Sequence, residues 1–167
     1  MPRKVIHTDS RTRLYKIWSN MKNRCNSPKG YNGKIYYSRG IKVCNCWDNS
    51  FENFKKWAVK SGYKPTLQID RIDNNKGKKK KNCRWVTKHQ QSFNKRKLSN
   101  CTSKYKGVSL KRPGIWALQI GFNNKIIYCG LFRDEIKAAK EYDKLAIKFF
   151  GEYASLNFPK TQGGVKS

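Results

Sequence analysis

Asp70, Asn82, Gln91 and Asn94 are the residues of this chain whose types and spacing suggest joint chemistry. One carboxylate beside neutral oxygen donors suits a hard divalent cation such as Mg²⁺, which is held through few protein ligands and keeps several waters. Ten Lys and Arg fall between Lys76 and Lys97 with no acid among them, and that run suits a phosphate backbone. A metal beside a phosphodiester points to nuclease chemistry.

The elements that must position these residues lie in LQIDRIDNNKGKKKKNCRWVTKHQQSFN, residues 67–94. Residues 67–72 alternate apolar and polar side chains, as a half-buried strand does. Asn74-Asn75-Lys76-Gly77 reads as a turn. Residues 83–87 read as a second strand, and 88–97, free of Gly and Pro, as a helix. Hairpin and helix together would converge Asp70, Asn82, Gln91 and Asn94.

Composition bounds the partner. The 167 residues carry 38 Lys+Arg against 10 Asp+Glu, a net charge of +28, which exceeds what solubility requires. A lysine-rich surface from a biased genome is the bland alternative, but such bias does not make acids scarce. The charge implies a polyanion, most simply nucleic acid. Membrane adsorption is the lesser option, because no apolar run is long enough to span a bilayer and no signal-peptide core follows the N-terminus. The six cysteines (Cys25, Cys44, Cys46, Cys83, Cys101, Cys129) form no CxxC pair, so zinc is disfavoured and buried thiols are the default.

Along the chain, residues 1–10 read as a loose basic arm. Residues 13–25 form a helix with Leu14, Ile17, Trp18 and Met21 on one face. Residues 31–47 are turn-rich, with a short strand at 41–44. Ser50 caps a helix over 51–61 whose face is Phe51, Phe54, Trp57 and Ala58. Residues 98–103 read as a linker. After it, strands are expected at 105–111, 115–122 and 126–132, then a helix capped by Asp134 and closed by Gly151. Ala138, Ala139, Tyr142, Ala146 and Phe149 form its apolar stripe. One sheet face meets this helix and the other is free for DNA.

Two families are similar to these segments. RLYKIWSNMKNRCNSP, YYSRGIKVCNCW and LQIDRIDNN with NCRWVT, Gln91 and Asn94 resemble phage-type HNH homing endonucleases. KYKGVSLKR, IWALQI, YCGLF and EIKAAKEYDKLAIKFFGEYASLNFP resemble the ethylene-response-factor (Apetala-type) DNA-binding domain. The resemblances imply an α+β chain. Its HNH nuclease domain would span 1–97, a helical scaffold with a ββα-metal core at about 66–97. The linker follows at 98–103, then a three-stranded antiparallel sheet packed on one helix over 104–159, and a tail at 160–167. The lack of an apolar run able to span a bilayer leads to the expectation of a soluble, intracellular protein, and the resemblances imply the cytoplasm of a phage-infected or mobile-element-bearing host. A monomer acting on duplex DNA, without a small-molecule substrate, is expected.

Roles follow by position. The resemblance makes Asp70 the metal-ligating acid, Asn82 the loop brace and Gln91 a second ligand, with Asn94 as the alternative. The metal would be Mg²⁺ or Mn²⁺. Arg71 stands where most members carry the histidine that activates water, and arginine cannot be a general base. His89 precedes Gln91 by two residues, roughly 200° around a helix, and should face away. His7 lies in the arm. The expected chemistry is therefore metal-dependent hydrolysis, nicking one strand, with Arg71 stabilising the phosphorane. The alternative is a catalytically weak or inactive sequence-specific DNA-binding protein on the same scaffold.

The expected DNA contacts in the first domain are Arg39, Lys78, Lys79, Lys80, Lys81, Arg84, Lys95 and Arg96. In the second they are Lys106, Lys111, Arg112, Gln119 and Tyr128, with Ser109 and Tyr128 placed on the outer sheet face and Gln119 suited to adenine.

Overall fold

The computed structural model describes residues 8–97, 101–123 and 125–159. The arm to residue 7, with His7, the first half of the expected linker and the tail from 160 lie outside them. The chain is mixed helix and sheet and divides into two compact units, 1–88 and 89–167. Among the described residues no helix is long and apolar enough to cross a membrane.

The first unit starts with helix α1 (Arg13–Asn26), capped by Thr12, whose side chain accepts the Tyr15 amide. Leu14, Met21 and Cys25 are its buried face. Two short helices, α2 (Gly30–Ile35) and α3 (Asn45–Asp48), occupy the turn-rich stretch. Ser50 caps α4 (Phe51–Lys60) as expected, with the Asn53 amide 3.2 Å from its hydroxyl. Trp47 and Phe54 are fully buried and meet edge to face at 5.3 Å, and Trp57 packs on both Trp47 and Trp85. Trp85 thereby anchors the antiparallel hairpin of β1 (Gln68–Arg71) and β2 (Cys83–Val86) on the helices. Its register pairs Asp70 with Arg84 and Arg71 with Cys83.

The strand expected at 41–44 reduces to one parallel bridge, Val43 to Lys78. Lys78 donates its amide to the Lys42 carbonyl at 2.8 Å and accepts the Cys44 amide at 2.9 Å. Gly77 permits this approach, since a Cβ there would stand 2.6 Å from the Lys42 carbonyl oxygen.

The second unit takes up α5 (Lys88–Phe93), which stops short of the expected residue 97. Ser92 turns its hydroxyl back on the His89 carbonyl at 2.6 Å, a local bond that competes with helix continuation. Phe93 stacks on Phe150 at 4.3 Å and on Phe122 at 5.6 Å. β3 (Val108–Arg112), β4 (Ile115–Phe122) and β5 (Lys125–Phe132) form an antiparallel sheet in that order. Asp134 caps α6 (Glu135–Phe150) by accepting the Lys137 amide at 2.8 Å. The buried stripe of α6 ends on Phe150, not Phe149, because 142, 146 and 150 continue one i+4 ridge while Phe149 is 37% exposed.

Thr102 and Ser103, read as linker, belong to this unit: Thr102 accepts the Leu110 amide and the buried Ser103 hydroxyl donates to Glu135 at 2.7 Å. The buried Asp143 carboxylate accepts the amides of Asn157 and Phe158, both at 2.8 Å, and Asn157 in turn brackets the Lys106 backbone. That staple fastens the C-terminal segment to α6.

Candidate nucleic-acid interface

The hairpin of the first unit holds Asp70, Arg71 and Asn82. Asn82, 4% exposed, binds the loop three ways: its carbonyl accepts the Asp73 amide at 2.9 Å, and its amide donates to Asp73 at 3.1 Å and Gly77 at 2.9 Å. Its loop-bracing position from the sequence therefore has this geometry. Asp70 is buried, and its Oδ2 stands 3.4 Å from Arg84 Nε. That pair is looser than a charge-assisted hydrogen bond of about 2.8 Å. Arg71 donates to the Lys76 carbonyl at 3.1 Å, and its guanidinium lies 5.4 Å from the Tyr36 ring centroid. Gln91 and Asn94 belong to the second unit, so the implied ligand set does not fall within one unit. In donor type, a carboxylate with amide oxygens fits Mg²⁺, Asp70 being the one anionic member.

Several cations expected at DNA are turned inward. Lys78 is 7% exposed, its ammonium 5.5 Å from the Tyr36 ring that Arg71 also meets. Burial pulls its pKa down to about 8, helped by Arg71 and Arg24 and opposed by the nearby Cys25 and Cys83 thiols. Arg39 donates to the carbonyls of Ile35 and Asn74 and to the Asn75 side chain, so it ties the loop to the helices, and burial lowers its pKa. Arg84 is committed to Asp70. Lys106 donates to the Phe93 carbonyl at 2.7 Å, and burial lowers its pKa to about 8. Lys78 is the buried one of these four, while Arg39, Arg84 and Lys106 are half-buried and tied to partners within the protein. Lys79, Lys80, Lys81, Lys95, Arg96, Lys111 and Arg112 are exposed.

The cysteines divide similarly. Cys25 and Cys83 are buried thiols, desolvation raising the second to about 11. Cys46, Cys101 and Cys129 are exposed.

On the sheet, alternation separates the faces along β4. Leu118 and Ile120 are buried toward α6, and Gln119 and Gly121 are exposed. The register places Ser109 and Leu131 on either side of Ala117, Cys129 beside Gln119, and Ile126 beside Gly121. Tyr128 does not join this outer face. It pairs with Ile120 on the helix side, and its hydroxyl lies against Gly130. The shift between Ile120 and Gly121 inserts an extra residue in β5, so Ile127 also turns to the core. Leu131, Cys129 and Ile126 were missed as outer-face residues. Counting back in twos from the core-packed Phe132 finds Leu131 and Cys129, whereas Ile126 needs the bulge.

A 59-residue stretch of the chain is 44% identical to APETALA2-like protein 2 of Oryza sativa, in both the indica and the japonica subspecies, covering 34% of this chain and 14% of the relative. A 58-residue stretch is 40% identical to an AP2/ERF and B3 domain-containing protein of Oryza sativa subsp. japonica, covering 35% of this chain and 16% of the relative. The chain thus spans 14% to 16% of the length of these curated relatives. No family model and no solved structure matches the chain. The similarity supports an AP2/ERF-type domain in about a third of the chain.

Proposed function

We propose that the chain is a sequence-specific DNA-binding protein whose three-stranded sheet enters the major groove by its outer face. The observation that carries this reading is the sheet itself: α6 covers one face, and the other exposes Leu131 (64%) and Ile126 (63%) between the cations of the strand ends. Two- and three-stranded sheets fit the major groove, and flanking cations hold the phosphates. The similarity to AP2/ERF-type proteins and the net charge of +28 support it. Amide chemical-shift mapping tests it. Adding a duplex selected from a random pool is expected to shift Ser109, Ala117, Gln119 and Leu131 and to spare Lys140 and Lys144 on the exposed side of α6. Shifts confined to α6 or to the first unit would contradict it.

The hairpin supports a second reading, metal-dependent nicking of the bound duplex. Its specific support is Asn82 bracing the loop beside the buried Asp70. In this reading Asp70 would hold Mg²⁺ or Mn²⁺. The ion, when bound, supplies Lewis-acid stabilisation of the phosphate and an acidified water. Arg71 contributes positive charge at the phosphate and takes no proton. Asp70→Asn is then expected to abolish plasmid nicking, a drop of at least ~10²-fold, with duplex affinity retained. Nicking that survives the substitution would remove Asp70 from the chemistry.

A further inference from the structure

We infer that the outer sheet face reads thymine methyl groups and so selects A·T-rich sites, an inference that rests on the sheet being the DNA-binding face. The register lines up Ser109, Ala117 and Leu131 in one row, Gln119 and Cys129 in the next, and Gly121 with Ile126 in the third. The centre of the face therefore carries methyl-bearing and small side chains, with Gln119 as its long polar reader. Leu131 and Ile126 are 64% and 63% exposed there. The cations stand at the ends of the strands: Lys111 and Arg112 close β3 and Arg133 follows β5, whereas Lys125 pairs with the core-packed Phe122 on the helix side.

This arrangement matches one duplex surface. A rim of cations with an apolar centre complements two phosphate backbones with a groove floor between them. Guanine is read in the major groove by Arg or Lys at O6 and N7, and the centre of this face has neither. The thymine C5-methyl is the apolar group that the major groove offers, and Ala117, Leu131 and Ile126 are suited to cover it. Gln119 matches the N6 and N7 edge of the paired adenine. A G·C pair in the same place would set polar edges against leucine and isoleucine and leave them without partners.

The test uses the full chain and a duplex selected from a random pool, with affinity read by fluorescence anisotropy at fixed salt. The selected site is expected to be A·T-rich. Replacing thymine by deoxyuridine in its core removes only the methyl groups. Each loss is expected to weaken binding about fourfold, and three together roughly sixtyfold. In Leu131→Ala the same replacement is expected to cost several times less. A G·C-rich site, or equal affinity for the thymine and deoxyuridine duplexes while Leu131→Glu still abolishes binding, would overturn the inference and leave the sheet reading standing. If neither deoxyuridine nor Leu131→Glu changes binding, both fall. Sedimentation of the DNA-free chain as a dimer that Leu131→Glu dissociates would assign the apolar face to self-association and overturn both.

Discussion

Lys78→Met is expected to stabilise the first unit by roughly 3 kcal/mol at neutral pH. The ordinary lysine pKa of 10.5 falls to about 8 at this site, chiefly through desolvation. The folded state therefore binds its proton more weakly than the unfolded chain does. At pH 7 both states are protonated, and the fold bears the whole cost of a buried ammonium among Arg71 and Arg24. Between pH 8 and 10.5 the unfolded chain holds more protons, so stability rises with pH, and the cost is relieved above that window. Methionine keeps the length of the stem and removes the charge. The advantage of the variant over the wild type should thus be largest near pH 7 and shrink through pH 8 to 10. Urea unfolding followed by the fluorescence of Trp18, Trp47, Trp57 and Trp85 measures it. A variant less stable than the wild type at pH 7 would show that the Tyr36 ring and the neighbouring thiols over-compensate the burial.

The second large effect is ionic. If about six phosphates are neutralised, the log–log slope of affinity against salt is roughly −5, and binding falls by about three decades between 50 and 200 mM salt. The number is smaller than the net charge of +28 suggests, because Lys78 is buried and Arg39, Arg84 and Lys106 are half-buried and bound to partners within the protein. Lys111→Gln or Arg112→Gln should each reduce the slope by roughly one and weaken all sequences alike. A slope near −2 would mean that the exposed lysines also miss the DNA.

How far these features could be read in the sequence depends on the range of the physics. Ser50 and Asp134 are legible because a cap is settled within four residues, and both accept the amide three positions on. The alanine stripe of α6 and the alternation along β4 are legible because periodicity states which face is buried. The β1–β2 hairpin with Asn82 at its loop follows from strand, turn and strand in series.

The fates of the cations were not legible. Lys78 looks like its neighbours Lys79 and Lys80, and only the bridge to Val43 draws it under the Tyr36 ring. Lys106 turns inward because Phe93, thirteen residues earlier, offers it a carbonyl. Arg39 is claimed by Asn74 and Asn75, thirty-five and thirty-six residues away. Tyr128 changes face because one bulge reverses the parity of a strand. Long-range bonds and register shifts leave no local pattern, so neither the inward turn of these cations nor the apolar make-up of the outer sheet face is written in the sequence.

The affinity of Leu131→Glu for duplex DNA tests the outer sheet face most directly. Leu131 is 64% exposed on the outer face, so the substitution leaves the core intact and sets a carboxylate where the groove is placed. Affinity for a selected duplex is expected to fall by at least ~100-fold with the thermal midpoint unchanged, since an unpaired acid faces a polyanion. Undiminished affinity in a folded Leu131→Glu protein would contradict the sheet as the DNA-binding surface.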